Sequence, residues 1–371
     1  MSGTRYKELG TGSFFGELVY DRAVPERHFL RELERVVDWT AFTERLVALY
    51  RGKGQIGRPP YNPAVMLKML VVAYLYDLSE RSTEAYVNDS LSAKWFLGLA
   101  VDEAGPDHST LTAFKRRILD RGGERCLQEL LAEIIRQASG AGVAFGTIQV
   151  VDSTHTVADV NVVKDKHRQK EEGKAPRDKG ARWGVKGKRK AQDKEGKEVK
   201  VPVYFYGYKA HTSLNAKAEM ITSVVVTAGN RPDGKEFPAL VERDEEQDLP
   251  VKVYAGDRGY DDTENHYLLK TKKLQSSLKL NKYRTEKKDK NKEVWVDLLA
   301  SDEYQAGQQE RYKIERKYGE AKTNHGLRRC RYVGRMRYLI QAYLTALVLN
   351  LKRIVKVVTG TNFKGRARLS A

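Results

Sequence analysis

The spacing of apolar residues changes character once along this chain, and that change constrains the fold most. From Pro63 the pattern is helical, through AVMLKMLVVAYLYDL, STEAYVNDS, LSAKWFLGL and PDHSTLTAFKRRI, and Cys126–Ser139 continues as an amphipathic helix. No strand pattern occurs before about Thr147, where TIQVVDST opens a series of short apolar runs. Residues 1–140 therefore read as an all-α unit with a lead-in arm of short helices, closed by the turn SGAGVAFG. Ser82 is expected to cap one helix, and Asp107 or Ser109 another.

Beyond the change, VPVYFYGYKAHTSLN and EMITSVVVTAGN look like neighbouring antiparallel strands. EFPALVERDEEQD and DTENHYLLKTKK read as helices between the strands VKVYAGD and SSLKL. Strands followed by alternating helix and strand give a mixed α/β sheet with helices on its faces. Two helices are expected at the end, from about Gln308 to Thr323 and from Arg335 to Val358. The Lys/Gly-rich segment 164–200 reads as a flexible basic insertion and 282–307 as a second polar one, within a catalytic domain spanning 141–358; 359–371 is a basic tail.

Charge is concentrated rather than spread. The net charge is +18, yet Arg311–Ala371 holds 16 Lys/Arg against two Asp/Glu, and Lys164–Lys200 holds 15 against seven. Focused positive charge suggests a polyanion track, above a membrane surface or a general solubility charge. Two cysteines, Cys126 and Cys330, supply neither a disulfide framework nor a four-cysteine zinc site, so a reducing cytosol is expected. The start MSGTRYKELG has no apolar signal core, and the longest apolar runs are too short to span a bilayer.

Three carboxylates stand out against this basic background. Asp152 ends the first strand, Asp257 ends VKVYAGD, and Glu315 sits inside RYKIERKYGEAK. Singly, each has an ordinary explanation: an Asx turn for VVDST, a tight loop for GDRGY, a helix-surface ion pair for Glu315 with Arg311 or Lys322. Together, two sheet-end aspartates and a helical glutamate beside a cationic wall are the parts of a two-metal phosphodiester site. A lone His155 after VVDST reads as a local hydrogen-bonding residue.

The motifs VVDSTHT, DKGARWGVKGK, FYGYKAHTSLN and YAGDRGYDD, followed by Arg311-x3-Glu315-x6-Lys322, occur in an order that resembles bacterial insertion-sequence DDE transposases. The signature of that family is Tyr-x2-Arg-x3-Glu-x6-Lys; here Gln308 holds the Tyr position. The resemblance covers most of the chain, with YNPAVMLKMLVVAYLYDLSERSTE and PDHSTLTAFKRR similar to the helical domain that often precedes the core. It implies a ribonuclease H-like mixed sheet flanked by helices. It also implies Asp152, Asp257 and Glu315 as catalytic ligands of two Mg²⁺ ions, which Mn²⁺ can replace. Arg311 and Lys322 would contact DNA phosphates, with Arg258 and Tyr260 beside the second aspartate and Lys209 and His211 on a neighbouring strand. His325, Arg328, Arg329 and Arg331 form a basic turn directly after the signature helix, read as gripping phosphates. The function implied is cleavage at the ends of a mobile element and transfer of the 3′-hydroxyl ends to target DNA. The expected partners are the terminal inverted repeats, the target DNA and a second copy of the chain in a synaptic homodimer. A cytoplasmic, nucleoid-associated protein is expected, with no membrane. A metal-dependent nuclease without strand transfer and an inactive DNA-binding regulator are the alternatives.

Overall fold

The computed structural model describes residues 6–10, 14–50, 59–192, 196–285 and 292–364. The chain forms two compact units, Met1–Val143 with Tyr343–Ala371, and Ala144–Ala342. This division differs from a catalytic domain running to 358, because residues 343–358 group with the helical unit.

The first unit contains α1 (Phe14–Ala23), α2 (Phe29–Val36), α3 (Thr40–Val47), α4 (Pro63–Leu75), α5 (Glu80–Asp89), α6 (Leu91–Leu97), α7 (His108–Arg117) and α8 (Gly123–Gly140). Local signals explain their bounds. Asn62 accepts from the Ala64 amide at 2.8 Å and Pro63 occupies the first turn, so α4 starts there. Nearly every residue of α4 is buried, as expected of a helix apolar on all sides. Asp107 caps α7 through the Thr110 amide at 2.7 Å. Ser79, not Ser82, caps α5: its hydroxyl accepts from the Ser82 amide at 3.1 Å, one turn earlier than expected.

The second unit contains β1 (Ile148–Val157), α9 (Val162–Glu172), β2 (Arg182–Gln192), β3 (Glu198–Asn215), β4 (Met220–Ala228), α10 (Phe237–Glu245), β5 (Val253–Gly256), α11 (Thr263–Thr271) and β6 (Gln275–Leu278). Then follow α12 (Lys282–Thr285), α13 (Lys292–Ala300), α14 (Asp302–Glu310), α15 (Tyr312–Asn324) and α16 (Arg335–Thr359), the last divided by the unit boundary. The sheet runs β2-β3-β1-β5-β6, with β4 on β3. β1, β5 and β6 are parallel, whereas β1–β3, β3–β4 and β2–β3 are antiparallel. This is the ribonuclease H-like mixed sheet.

Alternation along the strands gives the sheet two unlike faces. Val151 and Tyr254 pack with Phe237, Leu240, Val241 and Leu269 of α10 and α11 in a closed core. Their neighbours Val150 and Ala255 face the other way, toward α14 and α15. Gly307 of α14 sits so close to that face that a Cβ there would lie 2.4 Å from Ser277 Oγ and 3.2 Å from Ala255 Cβ. The segment 164–200, of which residues 193–195 lie outside the described set, is ordered into elements where it was expected to be a flexible insertion. It forms α9 and β2, because β2 finds a backbone partner in the first half of the long β3. The expected polar insertion 282–307 is likewise helical in α12, α13 and most of α14, and residues 286–291 lie outside the described set. Among the described residues no helix is long and apolar enough to cross a membrane.

Candidate active site

Sheet register brings the first two carboxylates together. β1 and β5 are parallel neighbours, with Val150 beside Ala255. Two residues on, Asp152 and Asp257 fall at matching positions and on the same face, at the end of β5. Adjacent strands lie about 4.8 Å apart, so two carboxylates here feel each other strongly. Burial pushes the Asp152 carboxyl up to about 7, and Asp257 and Asp233 add to the rise. The Ser153 amide, which donates to Asp152 at 2.7 Å, and Arg311 oppose it. Asp257 is held at the strand exit by the Gly259 amide, which donates to its Oδ1 at 2.8 Å. A Cβ at Gly259 would lie 2.9 Å from that oxygen, so a side chain there would push the Asp257 carboxylate from its place.

α15 carries the rest. Ile314, Lys317, Tyr318 and Ala321 are buried along it, and the Tyr318 hydroxyl donates to the Asp152 carbonyl at 2.6 Å and lies 2.7 Å from Thr212 Oγ1. Helical spacing places Arg311, Glu315, Tyr318 and Lys322 on one face. Three of the four interact with Asp152: Arg311 and Lys322 by charge, Tyr318 by hydrogen bond and charge. Arg311 Nε is buried without a hydrogen-bond partner. Glu315 shares this face, is exposed, and forms no ion pair or hydrogen bond among the described residues. The surface ion pair that would have explained it is therefore not formed; Lys317 lies 3.8 Å from Glu320 instead.

The three acids do not close into a cage. Among the described residues no group of three His, Cys, Asp or Glu is near enough to hold a metal ion. Asp152 and Asp257 supply two hard oxygen donors side by side, in surroundings that disfavour a second negative charge. Such a pair suits a divalent cation such as Mg²⁺. Carboxylates repel one another, and the long Glu315 side chain extends into solvent from the same face.

Sequence reasoning missed several members of this site. Asp233 precedes α10; it accepts from Lys209 Nζ at 2.8 Å, lies 3.7 Å from His211 Nδ1, and its charge reaches Asp152. The only hint was its place after a strand, in GNRPDG. Gln308 Nε2 donates to the Gly256 carbonyl at 3.3 Å and also to that of Ser277, so the residue at the signature Tyr position ties α14 to the strand end that presents Asp257. Lys186 of β2 lies near enough to Lys322 and His155 to act on both. Burial, Lys186 and Arg328 lower the Lys322 pKa, and burial, Lys322, Lys186 and Lys209 bring His155 down to about 4.

The residues expected to meet DNA separate. Arg328 is exposed and in no ion pair among the described residues, and Arg258 is exposed at the turn after Asp257. Arg329 is exposed and pairs with Asp159 at 3.0 Å, whereas Arg331 is only partly exposed. Lys209 is turned toward Asp233. His211 is buried against Thr227 Oγ1 at 2.8 Å, and burial lowers it to about 4, leaving it neutral. Tyr260 is packed in the core on Phe237, anchoring the turn rather than orienting Asp257. His325 corrects an expectation: it is fully buried at the C-terminus of α15, so its ring cannot reach a phosphate.

Two family models match the chain. A transposase domain (DUF772) covers residues 18–117, and a transposase DDE domain covers 144–351. The second spans more than half of the sequence. The chain belongs to the DDE transposases.

Proposed function

We propose that this transposase cuts DNA at the ends of its own mobile element and joins the freed 3′-hydroxyl ends to target DNA. Both steps are in-line phosphoryl displacements, in which positioning and charge supply most of the rate. The observation that carries this reading is the juxtaposition of Asp152 and Asp257 under the cationic face of α15.

Asp152, Asp257 and Glu315 would hold divalent metal, which when bound activates the attacking oxygen and stabilises the leaving one. The chain's own residues do the positioning. Arg311 and Lys322 offset phosphate charge next to the acids. Gln308 and Tyr318 fix the backbone on either side, at Gly256 and at Asp152, so the two carboxylates stay in register. Asp233, held in place by Lys209, adds the field of its carboxylate at Asp152. Two ends must be joined, so a second copy of the chain belongs to the working complex.

Cleavage of a duplex carrying the terminal inverted repeat, with Mg²⁺ or Mn²⁺, tests this directly. Asp152→Ala and Glu315→Ala should abolish cutting and leave duplex binding nearly intact. Either variant cutting at the wild-type rate would show the assignment to be wrong. Pre-cleaved ends offered with a target plasmid separate the transposase from a nuclease, since a nuclease yields no joined product. A DNA-binding regulator would cut in neither assay.

A further inference from the structure

The β2–β3 pair extends past the sheet as a two-stranded ribbon, and nothing in the catalytic reading uses it. β1 and β4 pair with β3 only from Gly207 and Tyr208 onward. Residues 198–204 pair with β2 alone, through Gln192↔Glu198 to Val185↔Tyr204 with a bulge between Val185 and Lys188. Seven residues of strand project just over 20 Å, roughly the width of a DNA duplex. The base is fixed: Phe205 is buried against the His155 ring at 4.9 Å, and a Cβ on Gly184 would strike the Gly229 carbonyl.

Register divides the ribbon into two faces. One carries Lys188, Lys190 and Lys200 toward the tip and the exposed Val185 and Tyr204 nearer the base. Lys190 and Lys200 stand directly opposite one another, an arrangement that disfavours the ribbon by itself. Glu198 offsets Lys190 at 2.9 Å, while Lys188, Arg189 and Lys200 form no ion pair among the described residues. From Arg182 to Tyr206 the sequence holds eight Lys/Arg against three Asp/Glu. At the foot of the ribbon, Lys186 acts electrostatically on Lys322 of the α15 face. Positive charge thus continues from the active site along the ribbon.

We propose that the β2–β3 ribbon is a duplex-DNA-binding arm, laid in the major groove of the same DNA whose phosphodiester enters the active site. A major groove about 12 Å wide admits a two-stranded ribbon. Lys188, Lys190 and Lys200 lie against the phosphates at the groove edge, with Arg189 on the opposite face. Tyr204 and Val185 offer apolar contact to bases. The arm rests on the transposase reading, because it extends the DNA path from that site.

Salt dependence of binding tests it. The full chain and Lys188→Ala/Lys190→Ala/Lys200→Ala would be titrated against a random-sequence 30-base-pair DNA duplex and the matching RNA duplex, by fluorescence anisotropy at several salt concentrations. Each lost phosphate contact should flatten the slope of log K against log salt by about 0.9. The triple variant is therefore expected to flatten it by roughly 1 to 3 and to bind DNA about ten-fold or more weakly at 0.1 M salt. Lys252→Ala/Lys270→Ala, at the opposite end of β5 and on α11, should leave the slope unchanged. An unchanged slope in the triple variant overturns the arm while leaving the catalytic reading intact. Tighter binding of RNA than DNA also overturns it, as does a loss confined to self-association in sedimentation. A wild-type chain that binds no DNA brings down both readings.

Discussion

Asp257 and Asp261 leave the same strand four residues apart, and their surroundings are opposite. Asp261 is buried and fully committed: Arg284 Nε donates to it at 2.7 Å, the Asn281 amide at 2.7 Å, and His266 Nε2 lies 3.0 Å away. Burial works against its charge, yet His266, the Asn281 amide and Arg284 hold its carboxyl below the ordinary value. Asp257 has one backbone donor and a second carboxylate beside it. A buried acid that the protein neutralises itself is part of the scaffold. An acid left among other acids, at a strand end below cationic side chains, is suited to a cation from outside. The contrast separates structural from reactive carboxylates where the sequence, GDRGYDD, writes them alike.

The contrast is sharpened most by paired substitutions. Asp257→Asn should reduce DNA cleavage by about 10³-fold or more, some 4 kcal/mol of barrier, with no loss of melting temperature. Asp261→Asn should do the reverse. It weakens the partner of a buried guanidinium and should cost about 3 kcal/mol of stability by denaturant titration, with cleavage per folded molecule little changed. Equal stability losses in the two would erase the distinction.

A pH series sharpens it further. Below about pH 4, Asp152 is protonated in both the folded and unfolded chain and costs nothing. Between pH 4 and about 7 the unfolded chain ionises while the fold retains the proton, so the metal-free protein loses stability as pH rises, levelling off above 7. Asp152→Asn removes that cost. It should stabilise the metal-free chain by on the order of 4 kcal/mol at pH 8 and by little at pH 4. Thermal melts at the two pH values read this, and a gain equal at both would contradict it. The smallest effect expected is that of Tyr318→Phe, which removes the hydroxyl donor to the Asp152 carbonyl and should cost about 1 kcal/mol of stability.

Much of this was legible in the sequence, and what was not has physical causes. The change from helix to strand spacing near Thr147 located β1 at Ile148, and the short apolar runs gave β3 to β6, because a half-buried strand must alternate or remain apolar. β2 was illegible for the same reason: a ribbon exposed on both faces needs no apolar pattern, so RWGVKGKRKAQ reads as loop. Capping one turn early at Ser79 rather than Ser82 turns on local competition between two serines. Asp152 and Asp257 could be singled out as strand-end acids, but only the parallel register places them side by side. Asp233 stands after β4 and joins the group through Lys209, a tertiary contact with no sequence signal. His325 looked like one more cation in a basic turn, whereas helix termination at Asn324 turns its ring into the core.

The central proposal is that Asp152, Asp257 and Glu315 together hold the divalent metal. Fe²⁺ substituted for Mg²⁺, with ascorbate and peroxide, cuts a polypeptide beside the residues that hold it, and mass spectrometry locates the cuts. The account predicts breaks near residues 152, 257 and 315 in the wild-type chain, all lost in Asp257→Asn. Breaks elsewhere, or near 152 and 257 with none near 315, would contradict it.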